Sequence, residues 1–182
     1  MKPFQAAIFD MDGTILDSMG IWAQVDIDFL GARGYQAPKD YMEAVAPMSY
    51  QEMAEYTIRR FHLNETPEDL ISEWDQMAID AYSHKVGLKD GAKEYLVSLK
   101  SKGVKLALAT ASGPSLFEPA LKHNGVYSLF DVIVHTGECA RGKGFPDIYL
   151  LAAEKLEIPP AQCVVFEDIL AGIQGAKAAQ MT

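Results

Sequence analysis

The stretch that most constrains this chain is Ile8-Phe9-Asp10-Met11-Asp12-Gly13-Thr14, where a short apolar run breaks off into two carboxylates and a glycine. Ala6-Ala7-Ile8-Phe9 has the length and continuous hydrophobicity of a strand buried in a parallel sheet. Gly13 supplies the backbone freedom that a tight turn after it requires. In open α/β sheets ligands sit beyond the carboxyl ends of the strands, so Asp10 and Asp12 fall where chemistry is usually done. Alternate residues of an extended chain point the same way, and both carboxylates can therefore face one site. Taken alone, an Asp-x-Asp-Gly string is as readily an ordinary turn, because Asp and Gly are common turn residues. Three later segments decide between the two readings.

After this strand the pattern turns helical. Asp17-Ser18 can cap a helix, and Ile21, Trp22, Val25 and Phe29 recur at helical spacing until Gly31 and Gly34. A second helix is expected from Ser49 to about Phe61. A third begins at Thr66-Pro67-Glu68-Asp69, which offers an N-cap, a proline at the first helical position and early acidic charge. Trp22 and Trp74 read as core anchors of this region in preference to substrate stackers. From Gly87 onward the pattern alternates. A helix from Ala92 is followed by a strand, Val104–Ala109, which ends in Thr110-Ala111-Ser112-Gly113. A helix from Pro114, a strand over Phe130–Val134, a helix opened by Pro146, and a strand Val164–Phe166 running into Glu167-Asp168 come next, with a last helix after them.

Strands alternating with helices call for an α/β fold with a parallel sheet. The helical block falls between the first strand and the others, so it is an insertion: residues 1–15 and 89–182 form the core and 16–88 the inserted region. Insertions at the carboxyl end of a sheet can act as lids.

Composition narrows the function. With 49% hydrophobic and 23% charged residues among 182, the chain is globular and long enough for one substantial core. Its 25 acidic residues against 16 basic ones give a net charge of -9, which argues against a general nucleic-acid surface. Cys139 and Cys163 are too few and too far apart for a disulfide framework or a cysteine-only zinc site, and Cys163 reads as a small buried hydrophobe. The opening apolar run is too short for a signal peptide and no stretch reaches membrane-span length, so a reducing cytoplasm and no membrane partner are expected. A monomer is the working expectation, with no sequence feature that fixes the oligomeric state.

Four strand ends thus carry useful groups: Asp10 with Asp12, Thr110 with Ser112, Lys143 a little past the third strand, and Glu167-Asp168. Four carboxylates meeting in one place repel unless a cation joins them, and hard oxygen ligands suit Mg²⁺. A carboxylate nucleophile, a cation, a lysine and a hydroxyl are the parts of phosphoryl transfer.

In these segments the chain resembles the haloacid dehalogenase superfamily, and within it the β-phosphoglucomutase-like phosphatases with an all-helical cap. Asp10-Met11-Asp12-Gly13-Thr14 looks like the first motif, Thr110-Ala111-Ser112 the second, Lys143 with Pro146-Asp147 the third and Glu167-Asp168 the fourth. The resemblance implies a Rossmann-like, three-layer core with the helical region as cap. It further implies that Asp10 becomes an aspartyl-phosphate and that Asp12 is the general acid and base. Thr110 with Ala111 and Ser112 would hold phosphoryl oxygens, and Lys143 would stabilise Asp10 and the transferring group. Mg²⁺ would be held by Asp10, the Asp12 carbonyl and Asp168, with Glu167 close by; pairing of Glu167 with Lys143 is the structural alternative.

Departures from the family matter as well. Mutases of this type carry a cap histidine where this chain has Trp22, and a basic residue in a segment that reads Glu43-Ala44-Val45-Ala46-Pro47-Met48-Ser49 here. The sequence therefore favours hydrolysis of a small phosphorylated metabolite, such as a sugar phosphate, over a hexose-phosphate mutase. Trp22 and the residues from Ala46 to Tyr50 are the expected substrate-selecting surface. Family members continue past the fourth motif with a further strand and helix, so the fourth strand is expected to be an exposed edge. An inactive ligand- or partner-binding domain is the alternative which that ending raises.

Overall fold

The computed structural model describes residues 4–45 and 48–182, which form two compact units. One comprises the chain up to Met19 together with Val86–Thr182, and the other is Gly20–Lys85. The segment Ala46-Pro47, part of the expected selecting surface, lies outside the described residues.

The first unit is an α/β sandwich. Strands β1 (Ala6–Phe9), β2 (Lys105–Thr110), β3 (Val132–His135) and β4 (Cys163–Phe166) form one parallel sheet in the order β3-β2-β1-β4. β1 is central and completely buried, which explains why its four residues are all apolar. Helices α5 (Ala92–Ser101), α6 (Pro114–His123), α7 (Asp147–Leu156) and α8 (Leu170–Ala178) connect and cover the strands. Ile8, Ala107 and Val134 pack on one face with Ile148, Ala152 and Leu156 of α7. On the opposite face Phe9 stacks on Phe166 and meets Tyr95 of α5 edge-on, with ring centroids 4.5 and 6.3 Å apart. Two helical layers thus enclose the sheet. Among the described residues β3 and β4 are the edge strands, and β4 is not left fully exposed, because the Thr182 backbone lies against it: Val165 N–H donates to the Thr182 carbonyl at 2.8 Å and Thr182 N–H to that of Cys163 at 3.3 Å.

The second unit contains α1 (Ile21–Ala32), α2 (Lys39–Val45), α3 (Tyr50–Phe61) and α4 (Pro67–His84). Ser49 with Glu52 and Thr66 with Asp69 form reciprocal capping boxes at the starts of α3 and α4. Phe29, Leu30, Tyr41, Leu70 and Trp74 make its core. Arg33, stacked over Phe29, bridges to Glu65 and Glu73, pinning the end of α1 to the start of α4.

Two local expectations are corrected, and one helix was not foreseen. Asp17-Ser18 does not cap α1, whose N-cap is Gly20 without a side-chain bond; the Ser18 hydroxyl is committed to Asp12 instead. Helix α2 was not distinguishable in the sequence, because only Tyr41 and Val45 of its seven residues are buried, too few for a periodic signature. Trp74 is a core anchor at 1% exposure, but Trp22 is not, at 39%.

Candidate active site

The sheet brings the sequence-predicted groups of the α/β unit together by register. Phe9 pairs with Phe166 on one side and Leu108 on the other. The residues that follow, Asp10 beside Glu167-Asp168 and one step short of Thr110, therefore leave the sheet at one edge. Carboxylate oxygens of Asp10, Glu167 and Asp168 all lie within 4.8 Å of one another. Lys143, carried by the loop between β3 and α7, reaches back into this cluster. Its Nζ donates to Asp10 Oδ1 and to both oxygens of Glu167, at 3.2 and 3.1 Å. The side chains of Lys143, Asp10 and Glu167 are 7%, 8% and 1% exposed, so this is a buried ion triad and not a solvated loop lysine.

Two glycines make the crowding possible. Gly13 has φ +82°, and a Cβ there would lie 2.1 Å from Asp168 Oδ2. A Cβ on Gly172 of α8 would lie 1.9 Å from Glu167 Oε1. Both positions need glycine because a carboxylate occupies the space.

Burial pushes Asp10 above the usual carboxylate range against the pull of the Lys143 ammonium. Glu167 is pushed up to about 7 by burial first and the neighbouring Asp10 charge second, again opposed by Lys143. One ammonium does not balance three converging carboxyl groups. The donor set is all oxygen and tightly spaced, which fits a hard divalent cation such as Mg²⁺.

The fourth expected carboxylate, Asp12, stands apart from that cluster. The Ser18 hydroxyl donates to its Oδ1 at 2.7 Å and the Ser112 hydroxyl to its Oδ2 at 2.8 Å. Thr110, fully buried at the end of β2, accepts the Ser112 amide on its Oγ1 at 3.0 Å. The turn Thr110-Ala111-Ser112 is thereby tied both to itself and to Asp12, and the Ala111 carbonyl accepts from Thr136 Oγ1 at 3.3 Å. Ser18 is the residue that sequence reasoning missed as a site residue. Its signal, a small hydroxyl side chain six positions past Asp12, was masked by its resemblance to a helix cap. Tyr149 was also missed: its hydroxyl is buried, has no partner among the described residues, and is pushed up by burial and then by the Glu167 and Asp10 charges. Trp22 belongs to the helical unit, where it lines a cavity with Tyr50 and Trp74.

With this geometry in place, comparison with known proteins gives the class. The family described as haloacid dehalogenase-like hydrolase matches residues 7–182, and the chain belongs to that family. A fructose-1-phosphate phosphatase of Escherichia coli, YqaB, is 32% identical over 183 residues, spanning 98% of this chain and 94% of that protein. A phosphorylated carbohydrates phosphatase of Thermotoga maritima is 28% identical over 175 residues, spanning 96% and 81%. Among solved structures, one from Thermotoga maritima described as a "putative beta-phosphoglucomutase" superposes with a TM-score of 0.90 at 28% identity, covering 97% of this chain and 82% of that one. Fold and relatives together are those of a phosphoric monoester hydrolase. No helix among the described residues is long and apolar enough to cross a membrane.

Proposed function

We propose that this chain is a Mg²⁺-dependent phosphatase that hydrolyses a small phosphorylated metabolite, a sugar phosphate by the names of its relatives, through a phosphoryl group carried on Asp10. The observation that carries this reading is the buried junction of Lys143 with Asp10 and Glu167, next to Asp168. Asp10, Asp168 and the Asp12 carbonyl would hold the cation, whose charge would offset that of the phosphoryl oxygens.

In the first half of the reaction an Asp10 carboxylate oxygen attacks phosphorus in line, and the bond to the leaving oxygen breaks. Asp12 gives its proton to that oxygen, so that an alcohol departs. In the second half Asp12, now an anion, takes a proton from water as the water oxygen attacks the same phosphorus and releases Asp10. The Ser18 and Ser112 hydroxyls support both roles, because each can donate to the anion or turn to accept from the acid. Lys143 keeps Asp10 anionic before attack and meets the charge on the transferring group. Thr110, whose Oγ1 accepts from the Ser112 amide, keeps its own O–H to offer a phosphoryl oxygen. The helical unit, Gly20–Lys85, would serve as the inserted cap.

The test is turnover of p-nitrophenyl phosphate. Asp10→Asn should lower it at least about a thousandfold, since the nucleophile is gone while the fold is kept. EDTA should abolish it and added Mg²⁺ restore it. Activity that survives both changes overturns the proposal.

A further inference from the structure

Lys143 lies in a stretch, 139–146, that forms neither strand nor helix, yet its ammonium must meet carboxylates at the ends of β1 and β4. The main chain of this stretch rests on α8. That helix spans nine residues and buries Gly172 and Gly175, one turn apart. Glycine in a helix interior costs stability relative to alanine, so two of them in so short a helix answer a demand from outside it. A Cβ on Gly175 would lie 2.1 Å from the Lys143 carbonyl oxygen and 2.8 Å from that of Phe145. Both are main-chain atoms and cannot turn aside as a side chain can. Tyr149, 1% exposed, closes another side, with its ring Cε2 2.9 Å from the same point. Gly172 seats the other member of the triad: a Cβ there would meet Oε1, Cδ and Cγ of Glu167 at 1.9, 2.4 and 2.5 Å.

We propose that Gly175 is the positioning residue for Lys143, and that the Gly172 and Gly175 face of α8 sets the spacing between the Lys143 ammonium and the carboxylates of Glu167 and Asp10. The helix follows Glu167-Asp168 closely in the chain, so it is tied to the end of β4. By letting the Lys143 carbonyl approach its own backbone, Gly175 brings the loop to a set distance from that strand end. The attraction within a buried ion triad depends on close geometry, and one added methyl group changes that geometry. Alanine at 175 requires the Lys143 main chain to retreat by about 1 Å, and a misplacement of that order is enough to slow a reaction about a hundredfold. The loop's own glycines carry no such demand. A Cβ on Gly142 would have nothing within 4 Å, and one on Gly144 only Ala171 Cβ at 3.9 Å.

The test is Gly175→Ala in the full chain, a change that helix propensity alone would make stabilising. Circular dichroism and urea unfolding establish that the variant folds. With p-nitrophenyl phosphate and Mg²⁺, kcat should fall about a hundredfold while KM moves by less than about threefold. Because Gly175 acts through Lys143, that loss should vanish in a Lys143→Met background, whereas a merely structural role carries the same loss into both. These kinetic readouts rest on the phosphatase reading. A second readout needs no turnover: acetylation of Lys143 by acetic anhydride, mapped by peptide mass spectrometry, should be at least about tenfold faster in the variant, since the lysine leaves its buried pairing more often. A failure of the phosphatase reading is therefore seen separately from a failure of this one. Gly172→Ala, whose methyl group meets side-chain atoms of Glu167 and no main chain, carries the same readouts if Gly175→Ala does not fold, with an expected fall in kcat of about tenfold. A folded variant with kcat within about twofold of the parent, an undiminished loss in the Lys143→Met background, or unchanged acetylation of Lys143 overturns the proposal.

Discussion

Each unit of this molecule buries an aspartate, and the two are treated in opposite ways. In the α/β unit Asp10 is answered by the Lys143 ammonium, which in turn bonds Glu167. In the helical unit Asp26 has a tyrosine hydroxyl and, among the described residues, no cation. Both carboxyls are raised by burial, Asp26 to about 6. The ammonium beside Asp10 opposes the upward shift that burial imposes on it. An unpaired buried carboxylate costs stability whenever it ionises, and a fold keeps it only where some other demand outweighs that cost. The contrast separates a buried carboxyl that has a charge partner from one that, among the described residues, has none.

Breaking the pair should produce the largest effect. Lys143→Met keeps the length and apolar stem of the side chain but removes its charge, leaving Asp10 and Glu167 buried against each other. Asp10 then takes up a proton and ceases to be a nucleophile. Turnover of p-nitrophenyl phosphate should fall by about a hundredfold to a thousandfold or more, and stability by about 3 kcal/mol, as when one partner of a buried ion pair is deleted. Urea unfolding beside steady-state kinetics measures both. A variant with near-normal turnover would mean that Lys143 serves only to fill the site.

Relieving the unpaired acid should act in the opposite direction. Asp26 has a folded-state value of about 6 against 3.8 for the ordinary group. Below pH 4 it is protonated in both states and carries no penalty. As pH rises from 4 to 6 the unfolded chain gives up this proton first, and the folded state loses stability relative to it; above 6 the loss is complete. Asp26→Asn should therefore stabilise the protein at pH 8 by about 1–2 kcal/mol, with the gain shrinking between pH 6 and 4 and absent at lower pH. Denaturant midpoints at pH 8 and pH 4 test the sign. A variant less stable than the parent at pH 8 would show that the acid is a structural asset of the helical unit, and the contrast with Asp10 would fail.

The same contrast explains what was legible in the sequence. Asp10, Thr110, Lys143 and Glu167-Asp168 could be read because each follows a strand or a glycine-flanked turn, and strand ends in a parallel sheet converge by topology. Ser18 could not be read as a partner of Asp12, since a serine after an aspartate is equally a helix cap. Asp26 was invisible for a similar reason: on α1 it follows Val25 and precedes Ile27-Asp28, a spacing that any amphipathic helix shows, and only packing decides which aspartate is buried. Trp22 was misread as core because helical period places it on the face of Val25 and Phe29, whereas the buried part of α1 begins one turn later, at Val25, and leaves the indole half-exposed at the cavity. Strand ends are fixed by backbone topology, while the polarity of a helical face is fixed by what lies against it.

The smallest effect expected is also the sharpest test of the Asp26 environment. Tyr41 is fully buried, sits 3.0 Å from Thr57 Oγ1, and is pushed up to about 12 by burial, with Asp26 adding to the shift. Its hydroxyl bonds that of Thr57 and counters the effect of burial on Asp26, and Thr57 has a second outlet in the Met53 carbonyl at 2.7 Å. Tyr41→Phe therefore strands Asp26 more than it strands Thr57. At pH 8 the loss of a hydrogen bond to an ionised, buried carboxylate should cost about 1 kcal/mol beyond the lost hydroxyl itself. The double cycle with Asp26→Asn isolates that share, because the amide still accepts from Tyr41 but carries no charge. A coupling near zero at pH 8 would mean that Tyr41 serves Thr57 alone.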